Sequence, residues 1–435
     1  MKINLTLAFL LAAFTVVGQN VLTLDDAFKQ ALSNNYSIRI IESQKQIAEK
    51  SATIGNAGLL PSVAASASAG INLNNTELEF AGNIPPTNVD NAVSTNTAAG
   101  INASYVLFNG LNGTRTYQKL KMNQEAVDIQ SQAAIEGTLL QVASAYYVLA
   151  RAIEQEQISM ENLGVSIKRY EREQLSNELG TALKTELLAA RVALTTDSSA
   201  LLNAQLQRKT SLRLLSRLIA DVLPEETTCS DAAPVLQTWS IDELVETSKA
   251  NNSSIKNAMM QQDLAQKDYQ LAWSSVMPSL TVNGGYNYNS QQSEAGIVLS
   301  NASAGWSGSV GLNYPLFNGF RNRTARQNQK VNLEIRTLEL ENQGLQIESD
   351  IRDAHDTYVQ SYRVAQFEEH NLEASELNLR RSEELYNSGQ ISSTQFREAQ
   401  LGLTSAKIRK SNALISLRLN ELEILRLTGQ ILSSE

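Results

Sequence analysis

Histidine and cysteine are almost missing from this chain of 435 residues: two histidines, His355 and His370, and one thiol, Cys229. A single cysteine forms no internal disulfide, and this set has no zinc-site spacing, so no metal and no cofactor are expected. Basic residues are outnumbered, 36 against 45 acidic, for a formal charge of −9. No basic patch or stripe stands out, so nucleic acid is not an expected partner. No nucleophile–base motif or phosphate-binding loop occurs, so no enzyme is expected. Proline is scarce and unevenly placed: none of the 7 falls in 87–223 or 316–435. Beyond residue 18, no apolar run is expected to reach the ~20 residues of a membrane-spanning helix.

The N-terminus does carry an apolar run, Ile3 to Val17, after Lys2 and before Gly18. That pattern predicts a removed signal peptide over 1–18 and export of the chain. The proline-free stretches are rich in Glu, Gln, Leu, Ala, Arg and Lys, with apolar residues three and four apart, as in Ile129, Ala133, Leu140, Ala143 and Tyr147. They predict helices over 112–179 and 320–388, each ~100 Å long at ~1.5 Å per residue. Gly180 and Gly389 interrupt them, and further helices follow to Ala220 and Thr428. Shorter helices are expected over 36–59 and 253–276, so that two short helices stacked end to end match one long helix.

Between short and long helices the period changes to two. Val63, Ala65, Ala67, Ala69, Ile71 and Leu73 alternate with small polar residues, as do Leu280, Val282, Tyr286 and Tyr288. Ile101, Ala103, Tyr105 and Leu107 repeat the pattern, followed by Trp306, Val310, Leu312 and Tyr314. This predicts two hairpins, 62–108 and 279–317, with polar loops at 75–97 and 290–302. One face is apolar and the other holds Asn, Ser and Thr without charge. A soluble core could cover the apolar face; alternatively it meets lipid while the polar face lines water. Tyr286, Tyr288, Trp306 and Tyr314 fit an interfacial aromatic girdle. Four strands cannot close a barrel in lipid, so the lipid reading requires an oligomer.

The chain is internally duplicated. Residues 24–63 align without a gap to 241–280, with Asn34-Asn35 on Asn251-Asn252 and Pro61 on Pro278. Tyr105-Val106-Leu107-Phe108-Asn109-Gly110 aligns to Tyr314-Pro315-Leu316-Phe317-Asn318-Gly319, and Gly180 to Gly389. Residues 19–230 are read as a first repeat and 231–435 as a second, together making one intertwined channel fold.

These motifs, in this order and twice over, resemble the TolC-like outer-membrane efflux factor family across 19–435. The carriers are the Leu-Asp-Asp-Ala…Asn-Asn start, Leu60-Pro61-Ser62-Val63, the strand-to-helix junctions, Leu385-Tyr386-Asn387-Ser388-Gly389, and Leu425-Arg426-Leu427-Thr428-Gly429. The resemblance implies an α+β membrane protein. Its homotrimer would have a 12-stranded β-barrel, four strands per protomer, continued by a long α-helical barrel. It implies a passive exit duct of a tripartite efflux or type I secretion system, in outer-membrane lipid and reaching into the periplasm. A periplasmic adaptor (membrane fusion) protein and an inner-membrane pump, of RND or ABC type, would be its partners. By the family's pattern Gln395, Glu398 and Glu186 would ring the periplasmic aperture, with Gln395 standing where the family has an acid. Gly180 and Gly389 would turn the helix tips at which the adaptor docks. Phe108, Asn109, Gly110, Pro315, Phe317, Asn318 and Gly319 would form the strand-to-helix junctions. The rival reading is an exported, filament-forming helical structural protein without transport. Whether drugs, metals or proteins would be the cargo is not written in these residues.

Overall fold

The computed structural model describes residues 21–431 except 80, 83, 84, 182, 231–236, 296 and 297; the expected signal peptide lies outside the described residues. In chain order the elements are β1 (Val21–Leu22), α1 (Leu24–Asn34), α2 (Tyr36–Ser51), β2 (Ser62–Leu78), β3 (Thr87–Asn109), α3 (Asn112–Glu178), α4 (Lys184–Ile219), β4 (Thr228–Cys229), α5 (Ile241–Asn251), α6 (Ser253–Ser274), β5 (Ser279–Ser293), β6 (Ser300–Asn313), α7 (Arg321–Asn387) and α8 (Ser393–Leu427). Two compact units divide the chain: one comprises residues up to 42, 132–253 and 345 onward, the other 43–131 and 254–344.

The first unit is helical. Its buried positions recur every seventh residue: Ala145, Ala152, Ser159, Ser166 and Glu173 on α3, and Ala190, Asp197, Ala204 and Ser211 on α4. Ala399, Ala406 and Ala413 on α8 follow the same rule. A seven-residue repeat keeps one seam facing a partner helix, as in a left-handed coiled coil, and small residues let the backbones approach. Contrary to the expectation above, α3 contains a stretch apolar enough to cross a membrane. Half of that stretch is buried, and α3 supplies Leu139, Val142, Tyr146 and Leu149 to the core.

Two asparagines of the duplicated motif join helices. Asn35 Oδ1 accepts from the backbone N–H of Ser37 and Ile38, capping α2, while its Nδ2 donates to the Leu218 carbonyl in the last turn of α4. Asn252 Nδ2 likewise donates to the Leu427 carbonyl at the end of α8, at 2.9 Å. Each therefore satisfies a carbonyl that a helix end leaves without an intrahelical partner. A helix over 36–59 was expected, but α2 stops at Ser51. Asn56 donates from its side chain to the Ser51 carbonyl, and Gly58 has φ 71°. A left-handed glycine is a helix-stop conformation. The short helices α1 and α5, and the parallel pair β1–β4, were not foreseen. Thr23 and Asp26 form a reciprocal capping box at the start of α1. Cys229 sits in β4, where burial pushes its thiol up to about 12.

The second unit contains the sheet, in the order β2-β3-β5-β6, antiparallel throughout. The loops expected at 75–97 and 290–302 are shorter: strand runs to Leu78 and resumes at Thr87, then runs to Ser293 and resumes at Ser300. The stretch 93–97 is built from Ser, Thr and Asn with one Val, so hydropathy alone hid the strand. A register irregularity falls between Asn74 and Thr76, where Asn75 Oδ1 accepts from the Asn91 N–H.

Candidate functional site

Three places carry the geometry of interest: the helix tips, the strand-to-helix junctions and the sheet edges. At both tips the chain turns in the same way. Gly180 has φ 71°, and its N–H donates to the Asn177 carbonyl while Thr181 N–H donates to Ser176 O. Gly389 has φ 74°, with Gly389 N–H to Tyr386 O and Gln390 N–H to Leu385 O. This paired closure with a left-handed glycine satisfies the last carbonyls of α3 and α7.

Glu186 lies half-buried in the first turn of α4, and Glu398 is exposed on α8. Gln395 is exposed, and its side chain closes a capping box with Ser392: Ser392 N–H donates to Gln395 Oε1 at 3.0 Å. A residue in that role is held against its own helix start. Among the described residues, no hydrogen bond or ion pair joins these three.

What gathers beneath the tips is a buried polar cluster that the sequence reading did not single out. The Tyr386 hydroxyl donates to Glu173 Oε1 at 2.6 Å. Its ring stacks on Phe396 at 5.0 Å and lies under the Arg172 guanidinium at 4.2 Å. Burial, then the bond to Glu173, push the Tyr386 phenol up to about 12. Further along, Arg397 grips Asp197 through two bonds of 2.6 Å, and Ser166 donates to the same carboxylate. Arg169 is buried between these groups' helices; burial and then the nearby Arg397 pull its guanidinium below the usual arginine value. The cluster ties α3, α4, α7 and α8 together. Its one sequence signal was an acid on a heptad seam: Asp197 between Ala190 and Ala204, and Glu173 after Ser159 and Ser166.

The junctions repeat as expected. Gly110 and Leu111 both have φ 66°, and Gly319 and Phe320 both have φ 64°. Asn109 Oδ1 accepts from Gly113 N–H at 3.2 Å, and Asn318 Oδ1 from Asn322 N–H at 3.4 Å, opening α3 and α7 alike. Phe108 ends a bulged stretch of β3, Pro315 follows β6, and Phe317 packs edge-on against Phe320 at 5.3 Å.

The sheet presents one apolar face with large exposed side chains, Val63, Ile71, Leu73, Ile101, Trp306, Val310 and Leu312 among them. Tyr286 and Trp306 stand opposite each other on it with rings 5.2 Å apart, while Tyr288 and Tyr314 are exposed as well. On the other face Asn102 and Asn287 exchange amide hydrogen bonds of 3.2 Å. Each lies over a glycine directly across the ladder, Asn287 over Gly100 and Asn102 over Gly285. The edge strands β2 and β6 have no outer neighbour among the described residues.

The outer membrane efflux protein family model matches residues 27–221 and 244–430. The chain belongs to that family. Its place is the outer membrane, with a periplasmic extension. The outer membrane protein TolC of Vibrio cholerae serotype O1 is 25% identical over 304 residues, which is 68% of this chain and 65% of that relative, just under two thirds of its length. The same fold occurs in the Campylobacter jejuni CmeC outer membrane channel, at 18% identity and TM-score 0.73, covering 94% of this chain and 86% of that one. It occurs again in the open state of the Neisseria gonorrhoeae MtrE outer membrane channel, at 18% identity and TM-score 0.70, covering 94% and 89%. CmeC and MtrE are outer membrane channels.

Proposed function

We propose that this efflux-family protein is the passive exit duct of a tripartite efflux or type I secretion system. Three copies, each giving four strands, make a twelve-stranded barrel, an even number such barrels adopt. The carrying observation is the sheet itself: one polar face, uncharged over 62–76, 91–109, 279–293 and 300–313, one exposed apolar face, and two long edges unpaired among the described residues. Open edges in hydrocarbon leave amides without partners, at several kcal/mol per group. Closure with sister copies removes them. The apolar face meets lipid and the Asn/Ser face meets water.

The helices continue the duct as a helical barrel in the periplasm. A stripe of exposed Leu188, Val192, Leu202 and Leu206 on α4 fits burial against neighbouring copies. The tips at Gly180 and Gly389 receive the adaptor and, through it, an inner-membrane pump of RND or ABC type. Glu398, Gln395 and Glu186 face the aperture. Threefold repetition of a carboxylate at a narrow opening favours cations.

The test is reconstitution. Detergent-extracted, signal-cleaved protein is expected as heat-modifiable trimers that give discrete conductance in planar bilayers. A protein that stays monomeric and soluble without detergent refutes the proposal.

A further inference from the structure

We infer that β6 of one copy pairs with β2 of the next in one definite register, which the duplicated halves already display inside a single chain. The inference rests on the trimeric-duct reading and adds the residue pairs that seal it.

The two hairpins carry the same register. Residues of β2 map onto β5 at a displacement of 217 (Leu24 to Ile241), and residues of β3 onto β6 at 209 (Phe108 to Phe317). Applied to the pair Val63–Ala103, these displacements give Leu280–Leu312, which is the observed pair. The seam between the halves is β3 against β5, with Ile101 opposite Tyr286. A ring of alternating halves uses the same seam between copies. Moving Ile101 forward and Tyr286 back by the same displacements places Val310 opposite Ala69 of the neighbouring copy. Leu312 then meets Ala67, and Trp306 meets Leu73, apolar on apolar.

The polar face supplies an independent check. Within the chain each central pair sets a glycine against a hydrogen-bonding side chain, Gly100 with Asn287 and Asn102 with Gly285. The corresponding pairs between copies are Ser309 with Gly70 and Gly311 with Ser68. Both again match one glycine to one polar side chain, with the roles exchanged. A slip of one residue would put apolar side chains on the polar face. A slip of two would set Gly311 against Gly70 in one direction and Ser309 against Ser68 in the other, breaking a glycine–polar match each time.

Exposure points to the same neighbour. A Cβ on Gly110 would meet Met277 Cβ at 2.6 Å, whereas one on Gly319 meets nothing within 4 Å. Phe108 is 39% exposed and its counterpart Phe317 is 74% exposed. The first junction is covered by the end of α6, and the second awaits the equivalent segment of another copy. Met277 corresponds to Leu60, which is itself exposed.

Paired cysteines in the full-length chain, on a Cys229→Ser background, test the register in outer-membrane fractions under mild oxidation. Directly opposite residues lie within the ~4.4–6.8 Å Cα separation a disulfide needs, and residues two positions away lie beyond it. Within one chain Gly70 lies three strand spacings from β6, ~14 Å, and is level there with Asn301 and not Ser309, so any bond between Gly70 and Ser309 joins two copies. Gly70→Cys with Ser309→Cys, and Asn72→Cys with Ser307→Cys, are expected to give covalent dimers and trimers on non-reducing gels. Ser309→Cys with Ser68→Cys or Asn72→Cys is expected to give roughly tenfold less. Equal or better linking by the shifted pairs overturns the register while leaving the duct intact. Absence of trimers of the unsubstituted protein in detergent overturns the duct itself.

Discussion

Tyr386 joins three kinds of contact in one side chain: a hydrogen bond to Glu173, a stacked ring and a cation above its face. Tyr386→Phe keeps the stack and removes the hydrogen bond from α7 to Glu173. A buried carboxylate left short of a partner costs ~1–3 kcal/mol or more. The variant is expected to assemble normally yet show higher single-channel conductance, because the tips are less firmly held. Unchanged conductance would remove this bond from the closed state. The raised phenol contributes stability that is fully present below pH ~10, its unfolded value, and is lost as pH rises through about 12. The Tyr386 phenol therefore stays protonated across the physiological range, and its bond to Glu173 is not lost there. Asp197→Ala strands the Arg397 guanidinium in a buried place, at ~3–5 kcal/mol. A lower thermal midpoint is expected from calorimetry. Replacing both members by apolar residues of similar volume should recover most of it. This cluster could not be read from local pattern. Arg397 and Asp197 lie 200 residues apart, and each alone resembles any polar residue of a polar helix. Only Asp197 is marked, by its place on a seven-residue seam.

At the scale of elements, the long helices and the tip turns were legible because their causes are local. Proline-free periodic sequence makes α3 and α7, and glycine ends them. Gly180 and Gly389 have open space around them, so glycine is required there for its backbone angle alone. Gly389→Val is expected to cost ~1–2 kcal/mol and to impair export while trimers still form on gels. Loss of trimers would instead make the turn an assembly element. The joints made by Asn35 and Asn252 were visible only as a repeated dipeptide, since the carbonyls they serve lie 183 and 175 residues away. The strands were legible as a period of two, but their outer ends were not. There Ser, Thr and Asn extend the ladder without any hydropathy contrast, and pairing rather than burial keeps them extended.

For the whole molecule, the sequence-level resemblance to the efflux family was sound, and the structure adds the registers from which a seam can be computed. The acidic aperture is a property of the proposed assembly. Glu398→Lys, repeated three times in the trimer, reverses the local field and is expected to lower cation preference in bilayer recordings at low salt, less so at high salt. Unchanged selectivity would place the constriction elsewhere. Gln395→Asp is expected to raise that preference, with some loss of α8 stability as its capping box changes. The boundary between lipid and water is then set by strands alone.

Asparagine amides that lie flat across glycines make an inner wall with little relief. Between residues 62–76, 91–109, 279–293 and 300–313 that wall bears no formal charge at all. In the proposed barrel, a solute crossing this stretch meets no fixed ion to linger on. On that proposal, cargo choice falls to the partners that load the duct.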